Sequence, residues 1–471
     1  MALFHLPADE PRELDLDAFE AALAGLIVRP SDPDYEAARH AHNTAFDRLP
    51  AVIVQAADTA DVALTVDFAA ATGLDLAVRS GGHSVAGHSS VDGGIVLDLG
   101  NLRGLQIDPK RRIAWAQAGL TAGEYTAAAY EHGLATSFGD AATVGLGGIT
   151  LGGGIGWLVR KHGLTIDHLI AAEVVTADGR IVMASEDENE DLFWAIRGGG
   201  GNFGIVTRFC YRLHPLGMIT GGVLVLPATK EVLRGIVPLA AAAPEELTTI
   251  TSVMAAPPLP AIPADVHGKP VVAVLAVFAG DAEAGAAAMA PFRALATPIA
   301  DLVGPMPYPA MYELTAAGSV PGPAALRSMF LDDLDDESID EILARMARPS
   351  SPMAMAQIRV LGGAMARVPT DATAFAHRER RVMFTVLTPY LDPAQEPVHT
   401  EWTTAFAAAI LPKANGVYSN FVADEGEGRV RDAYPEATYA RLAEIKRRYD
   451  PTNLFHLNQN IRPAVSPVRA L

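Results

Sequence analysis

A chain of 471 residues is long for one hydrophobic core, and with half its residues hydrophobic and 19% charged it excludes a disordered or fibrous protein. The formal net charge of -19 repels phosphate backbones, which argues against a nucleic-acid partner. Cys210 is the only cysteine, so no internal disulfide can form.

The opening residues Met1 to Glu20 lack a basic region followed by an apolar one, so no secretory signal is expected. No apolar run nears the roughly 18 residues that span a bilayer. A soluble, cytoplasmic protein without a membrane partner is the expectation. From Asp58 to Gly73 the spacing of Val62, Val66 and Ala69 predicts a helix, with Asp58 or Thr59 as N-cap and Gly73 as its end. Leu74 to Arg79 alternates and reads as a strand, which Gly81 and Gly82 break. Gly94 to Leu99 and Ile113 to Ala118 are further strands, and Ala122 to His132 is a helix ending at Gly133. After a glycine belt from Gly139 to Gly156, the strands AAEVVTADG and RIVMAS flank a turn at Asp178-Gly179. The acidic run Glu186 to Asp191 reads as a solvated loop and helix start, with Asp191 near the N-terminal dipole. The helix DLFWAIR, a second glycine cluster and the strand GIVTRFCYRL close the first half.

From about Pro215 to Lys413 the chain turns rich in alanine and proline. Strands such as VVAVLAVFAG (Val271 to Gly280) alternate there with helices such as Asp281 to Ala294. This is read as a second, substrate-contacting lobe. The tail carries a helix from Ala437 to Tyr449 and a terminal strand or loop. The fold class is α+β. The expected division is a first lobe at 1–214, a second, substrate lobe at 215–413, and a segment at 414–471 returning to the first.

Gly199, Gly201 and Gly204 satisfy G-x-G-x-x-G, but a helix precedes them and a strand follows. The dinucleotide fingerprint needs the reverse order, so a Rossmann site is not expected there. Arg79-Ser80-Gly81-Gly82-His83-Ser84 has two readings. One is an anion-binding nest of backbone N–H groups, with Arg79 and Ser80 adding donors; the other is a tight turn with His83 facing solvent. The belt of Gly145, Gly147, Gly148, Gly152, Gly153, Gly154 and Gly156 also has two. Such density costs backbone entropy. Either a ligand approaches closely, or these are strained turns at a packed junction. Two belts in one lobe favour a long ligand across both.

RSGGHSVAGHSS…GGIVLDLG, TVGLGGITLGGGIGWLVRKHGLTIDHL, DLFWAIRGGGGNFGIVTRF and the ending YDPTNLFHLNQNIRP together resemble the FAD-linked oxidases of the vanillyl-alcohol-oxidase type, in their berberine-bridge-enzyme-like branch. The likeness covers most of the first half and the last sixty residues, and only weakly the middle, through Leu361 to Ala364. The resemblance implies a PCMH-type FAD-binding domain of two subdomains, with an antiparallel sheet of the middle lobe covering the flavin. It implies FAD as cofactor, linked through its 8α-methyl carbon to His83, while His88 is structural or supporting. It further assigns cofactor contacts to Arg79, Ser80, Gly81, Gly82, Ser84, Val144, Gly145, Gly148, Gly152, Gly153, Gly154, Gly156, Ile205, Val206, Asn420, Asn458 and Asn460. A neutral imidazole is a good nucleophile near physiological pH, which makes the His83 link chemically reasonable.

The chain departs from the pattern at Ala141, which stands where many relatives carry a second, cysteinyl link in C-P-x-V-G. His83 is therefore expected as the single covalent tether. Cys210 reads as a buried apolar residue. Val144 resembles the small residue that admits oxygen to the flavin in oxidase members. Tyr418, in Tyr418-Ser419-Asn420-Phe421, resembles the Y-x-N-[YF] tyrosine that serves as base in relatives, a role that needs a lowered pKa; the other reading is a structural tyrosine on a core strand. Gln357 and Arg359 share a strand face, where they would contact substrate or face solvent. His40 and His42 find no third ligand nearby, so no metal is assigned. The resemblance implies an oxidase acting on a small organic molecule (alcohol, amine or secondary metabolite), with oxygen as acceptor and hydrogen peroxide as product. A dehydrogenase using another acceptor and a non-catalytic flavin sensor are the alternatives.

Overall fold

The first sheet takes its shape from one well-capped helix. The computed structural model describes residues 16–465, and the stretch read above for a secretory signal lies, through residue 15, outside the described residues. The helix Thr59–Thr72 starts where the Asp58 carboxylate accepts the Asp61 N–H at 3.0 Å and ends on Gly73 at φ 71°. It buries Val62, Val66 and Ala69, as their spacing predicts. This helix is the crossover that lets Val52–Gln55 and Leu76–Arg79 both run parallel to Ile95–Asp98 between them. Leu26–Val28 adds an antiparallel edge.

A second sheet of five antiparallel strands follows, in the order Leu105–Asp108, Ile113–Gln117, Ile205–Arg212, Leu169–Val175, Ile181–Ser185. The turn at Asp178-Gly179 forms, with Gly179 at φ 72°. The helix Glu190–Ile196 precedes the G-x-G-x-x-G cluster and Ile205–Arg212 follows it, the order opposite to a dinucleotide fingerprint.

The third sheet has eight strands, antiparallel at every pairing, built from residues 219–389. The helices Lys230–Ala242, Asp336–Met346 and Glu396–Ile410 cover one face, packing Ile236, Ile342 and Phe406 with Val272, Val274 and Phe384. The other face meets the first lobe: Val277 and Ile250 pack against Trp157 and Leu158. Coverage on both sides explains why Pro270–Phe278 is almost uninterruptedly apolar rather than alternating. Among the described residues no helix is long and apolar enough to cross a membrane.

The largest core joins residues of the first two sheets to Val417, Tyr434, Leu442, Phe455 and Ile461. The tail after Glu436–Tyr449 is a loop rather than a strand. Lys446 and Asp450 hold it. Both side chains are fully buried, and Lys446 Nζ donates to Asp450 (2.5 Å), to the Asn202 carbonyl (2.8 Å) and to the Phe455 carbonyl (2.9 Å). Asp450 accepts the N–H groups of Leu454 and Phe455. Asn202, inside the glycine cluster, accepts the Ile461 N–H at 2.9 Å. Breaking a buried pair on one side leaves an uncompensated charge, which costs about 3–5 kcal/mol. Lys446→Met should therefore lower the urea midpoint sharply, and adding Asp450→Leu should restore part of the loss. A single variant with the parent's midpoint would show that this pair does not secure the tail.

Candidate active site

The two glycine-rich segments lie against each other, backbone on backbone. A Cβ on Gly81 would sit 2.2 Å from the Gly145 nitrogen, and one on Gly145 would sit 2.1 Å from Ser80 Oγ and 2.2 Å from the Gly81 nitrogen. Ser80 Oγ donates to the Ala118 carbonyl at 2.6 Å and accepts the Gly147 N–H at 3.3 Å. Arg79, buried, donates from one terminal nitrogen to the carbonyls of Ala38 (2.6 Å) and His40 (3.1 Å), and from Nε to Ser89 (3.3 Å). Its other terminal nitrogen is buried without a partner. Most donors of Arg79 and Ser80 thus brace the loop itself. Ser84 Oγ accepts the His88 N–H at 3.1 Å.

His83 leaves this loop half-buried. Its Nε2 lies 2.9 Å from Thr143 Oγ1, and its ring stacks on His42 with centroids 3.7 Å apart and an interplanar angle of 19°. Burial, and next the neighbouring His42, push its pKa down to about 3. The imidazole is therefore neutral, the nucleophilic form, at physiological pH. His88, lowered by burial to about 4, lines a cavity of about 380 Å³ with Asp424, Arg431, Tyr439, Asn458 and Asn460. His40 does not join this group; its Nδ1 lies 2.5 Å from the Glu36 carbonyl. Among the described residues no group of three or more His, Cys, Asp or Glu side chains could hold a metal ion. Cys210 is buried within Ile205–Arg212, and burial raises its thiol pKa.

Protein neighbours account for most of the second belt. Added Cβ atoms would strike Asn420 at Gly152, Phe375 at Gly153, Thr165 at Gly154 and the Phe138 carbonyl at Gly156. These glycines serve a packed junction. Gly148 differs, because nothing lies within 4 Å of its added Cβ. Val144 is half-buried against the core, and Ile205 and Val206 are buried within it.

Tyr418 sits at the head of the short 3-10 turn Ser419–Phe421, not on a strand. Its buried hydroxyl oxygen accepts the Gly154 N–H at 3.0 Å and an Asn420 Nδ2 hydrogen at 2.9 Å. The lowered pKa that the base reading needs is not found. Burial raises it above 10, outweighing these hydrogen bonds and the charge of Arg359. Gln357 and Arg359 do share a face of Met355–Val360, bonded to each other at 3.1 Å. Arg359 is only 5% exposed, so the solvent-facing reading fails for it. It pairs with Asp140 at 2.8 Å, and its guanidinium lies 5.5 Å from the Phe421 ring.

Thr143, His42, Asp140 and Phe375 belong to this site without having been singled out for it from the sequence. Thr143 was visible only as a member of the segment matching C-P-x-V-G, and His42 only as half of a failed metal pair. The residues fit FAD. The open face at Gly148, the unpartnered buried Oδ1 atoms of Asn458 and Asn460, and the unpartnered Arg79 nitrogen leave polar capacity for a long cofactor.

Comparison with known proteins agrees. Residues 50–185 match the FAD binding domain family model and residues 417–462 the berberine and berberine-like model. The uncharacterized FAD-linked oxidoreductase YvdP of Bacillus subtilis is 31% identical over 94% of this chain and 99% of its own. The (R)-6-hydroxynicotine oxidase of Paenarthrobacter nicotinovorans is 28% identical over 94% of this chain and 97% of its own. The solved glucooligosaccharide oxidase of Acremonium strictum, described as carrying 6-S-cysteinyl, 8α-N1-histidyl FAD, superposes with a TM-score of 0.85 at 25% identity, covering 96% of this chain and 100% of that one.

The glycines separate experimentally. Gly145→Ala should destabilise the protein by about 1–3 kcal/mol through overpacking. Gly148→Ala, inside the helix Leu146–Leu151, should leave the unfolding midpoint intact but lower the bound flavin read at 450 nm. Full flavin content in Gly148→Ala would show that no ligand lies on that face.

Proposed function

The chain belongs to the FAD-linked oxidoreductases of the berberine-bridge-enzyme-like family, and from that membership we propose that it is an oxidase with FAD held covalently, through His83 alone. It removes a hydride from a small organic substrate (an alcohol, amine or secondary metabolite), and oxygen is the acceptor, giving hydrogen peroxide. Bound FAD supplies the two-electron acceptor and the route to oxygen. In this reading residues 1–214 and 414–471 hold the cofactor, and residues 215–413 cover it and contact substrate. The neutral His83 supports the tether, as does the histidyl link described for the glucooligosaccharide oxidase. Ala141 removes the cysteinyl partner of that link. Val144, small and half-buried, leaves oxygen a path.

The buried hydroxyl of Tyr418 carries the catalytic part of the reading. Two N–H donors converge on its oxygen, and the charge of Arg359 acts in the same direction. All three favour the phenolate over the phenol, so the oxygen can hold a proton drawn from a substrate hydroxyl or amine. Gln357 and Arg359 orient the substrate's polar group from the covering sheet, where Arg359 Nε is buried without a partner.

A substrate panel read by peroxide release tests the activity. Stopped-flow reoxidation tests the acceptor, because slow reaction of the reduced protein with oxygen would leave a dehydrogenase instead. Tyr418→Phe should slow flavin reduction roughly 100- to 10,000-fold with flavin content unchanged. The acting form is the deprotonated one, and burial raises the Tyr418 pKa. The parent's reduction rate should therefore climb with pH into the alkaline range, a limb that Tyr418→Phe loses. An identical pH profile in the variant would remove Tyr418 as the base.

A further inference from the structure

We propose that Thr143 and His42 are positioning residues for flavin attachment, holding the His83 ring in one orientation and one tautomer so that Nδ1 is presented as the nucleophile. The inference rests on the covalent-flavin reading above. A histidine on an irregular loop would ordinarily sample several rotamers, and ordering it costs entropy. Here two side chains fix the ring. His42 covers one face at 3.7 Å, and Thr143 Oγ1 holds Nε2 at 2.9 Å.

His42 is itself locked to the flavin loop. Its N–H donates to the Gly82 carbonyl at 3.1 Å, and its carbonyl accepts the Gly322 N–H at 3.0 Å. Arg79 ties the chain just before His42 to the same loop through the Ala38 and His40 carbonyls. The stacking partner is therefore part of the frame that carries His83.

A neutral imidazole has one N–H and one lone pair, and the hydrogen bond at one nitrogen decides which is which. Burial keeps His83 neutral. With Thr143 Oγ1 accepting from Nε2–H, the lone pair is on Nδ1. If Thr143 donated instead, Nδ1 would carry the hydrogen and could not attack. With Ala141 where a cysteinyl link would form, His83 is in this reading the one side chain whose geometry bears on attachment.

The step balances as follows in bonds and electrons. A bond forms between His83 Nδ1 and the 8α carbon, one C–H bond of the methyl group breaks, and the Nε2 proton leaves on the Thr143 side. Two protons and two electrons pass in total to molecular oxygen, which becomes hydrogen peroxide.

Holoprotein taken at intervals after induction of expression gives the rate. The protein is precipitated with acid, the flavin remaining in the pellet is measured, and the mass of the His83 peptide is determined. Thr143→Val should attach flavin about tenfold more slowly, the equivalent of one hydrogen bond, while binding FAD non-covalently as before. Thr143→Ser should restore the rate. His42→Ala should be slow and His42→Phe, which keeps a stacking ring, faster than His42→Ala. Thr143→Ala is read in the same way should the valine variant fail to fold. Attachment at the parent rate in folded Thr143→Val or Thr143→Ala would overturn the role of Thr143, and in His42→Ala that of His42. Parent protein that releases all its flavin into the acid supernatant would instead overturn the covalent reading, and this inference with it.

Discussion

The close approach of Gly81 to Gly145 is the contact on which the site depends. With no side chain at either position, the backbone after the Leu76–Arg79 strand reaches the backbone ahead of the Leu146–Leu151 helix. Any Cβ would push the two apart by more than packed backbone can absorb. The contact fixes where neighbouring side chains go. Ser80 comes within reach of both the Ala118 carbonyl and the Gly147 N–H, and His83 meets Thr143, sixty residues away in the chain. For the glycine belt the packed-junction reading holds at Gly145, while the face at Gly148 is free of protein neighbours. Packing at Gly81 and Gly145 creates the surface, and Gly148 leaves it open.

The covering lobe is tied to this surface by charges that are paired. Arg359 reaches from Met355–Val360 to Asp140, which immediately precedes the segment carrying Thr143. Thr315 also reaches across, donating to the Asp140 carbonyl at 2.5 Å. From the other side Lys446 and Asp450 fasten the tail that carries Asn458 and Asn460. A buried charge is tolerable only with a partner, so each pair specifies a geometry as well as a contact. The fold brings one ion pair between the two lobes and buries another beneath the tail.

Local chemistry was legible in the sequence wherever the cause was local. Asp58 and Gly73 marked both ends of one helix because capping involves residues within a turn of each other. Asp178-Gly179 marked a hairpin for the same reason. The reversed order around Gly199 to Gly204 was visible too, because it is an order along the chain. Motif likeness singled out His83 and Tyr418 but not their surroundings. The Thr143 hydroxyl and the Asp140 carboxylate acquire meaning only when segments 60 and 219 residues apart meet. The direction of the Tyr418 pKa was not legible for the same reason. Its depth in the fold, which dominates the shift, leaves no trace in the four residues around it.

Depth also gives the site its electrostatic character. Burial keeps His83 neutral and Tyr418 protonated at rest, while the charge of Arg359 is answered by Asp140. These three side chains therefore leave no net charge uncompensated. Burial also strengthens each remaining dipole, because field lines are not screened by water. The N–H of Gly154 and the amide of Asn420 point at Tyr418 before any proton moves, so the orientation that stabilises a phenolate is already built. Gly154 can deliver its N–H there because its backbone lies at φ 82°, a conformation that a side chain would resist. The glycine belt therefore acts twice: by contact at Gly145, beside which His83 meets Thr143, and by conformation at Gly154, which aims an N–H at the Tyr418 hydroxyl.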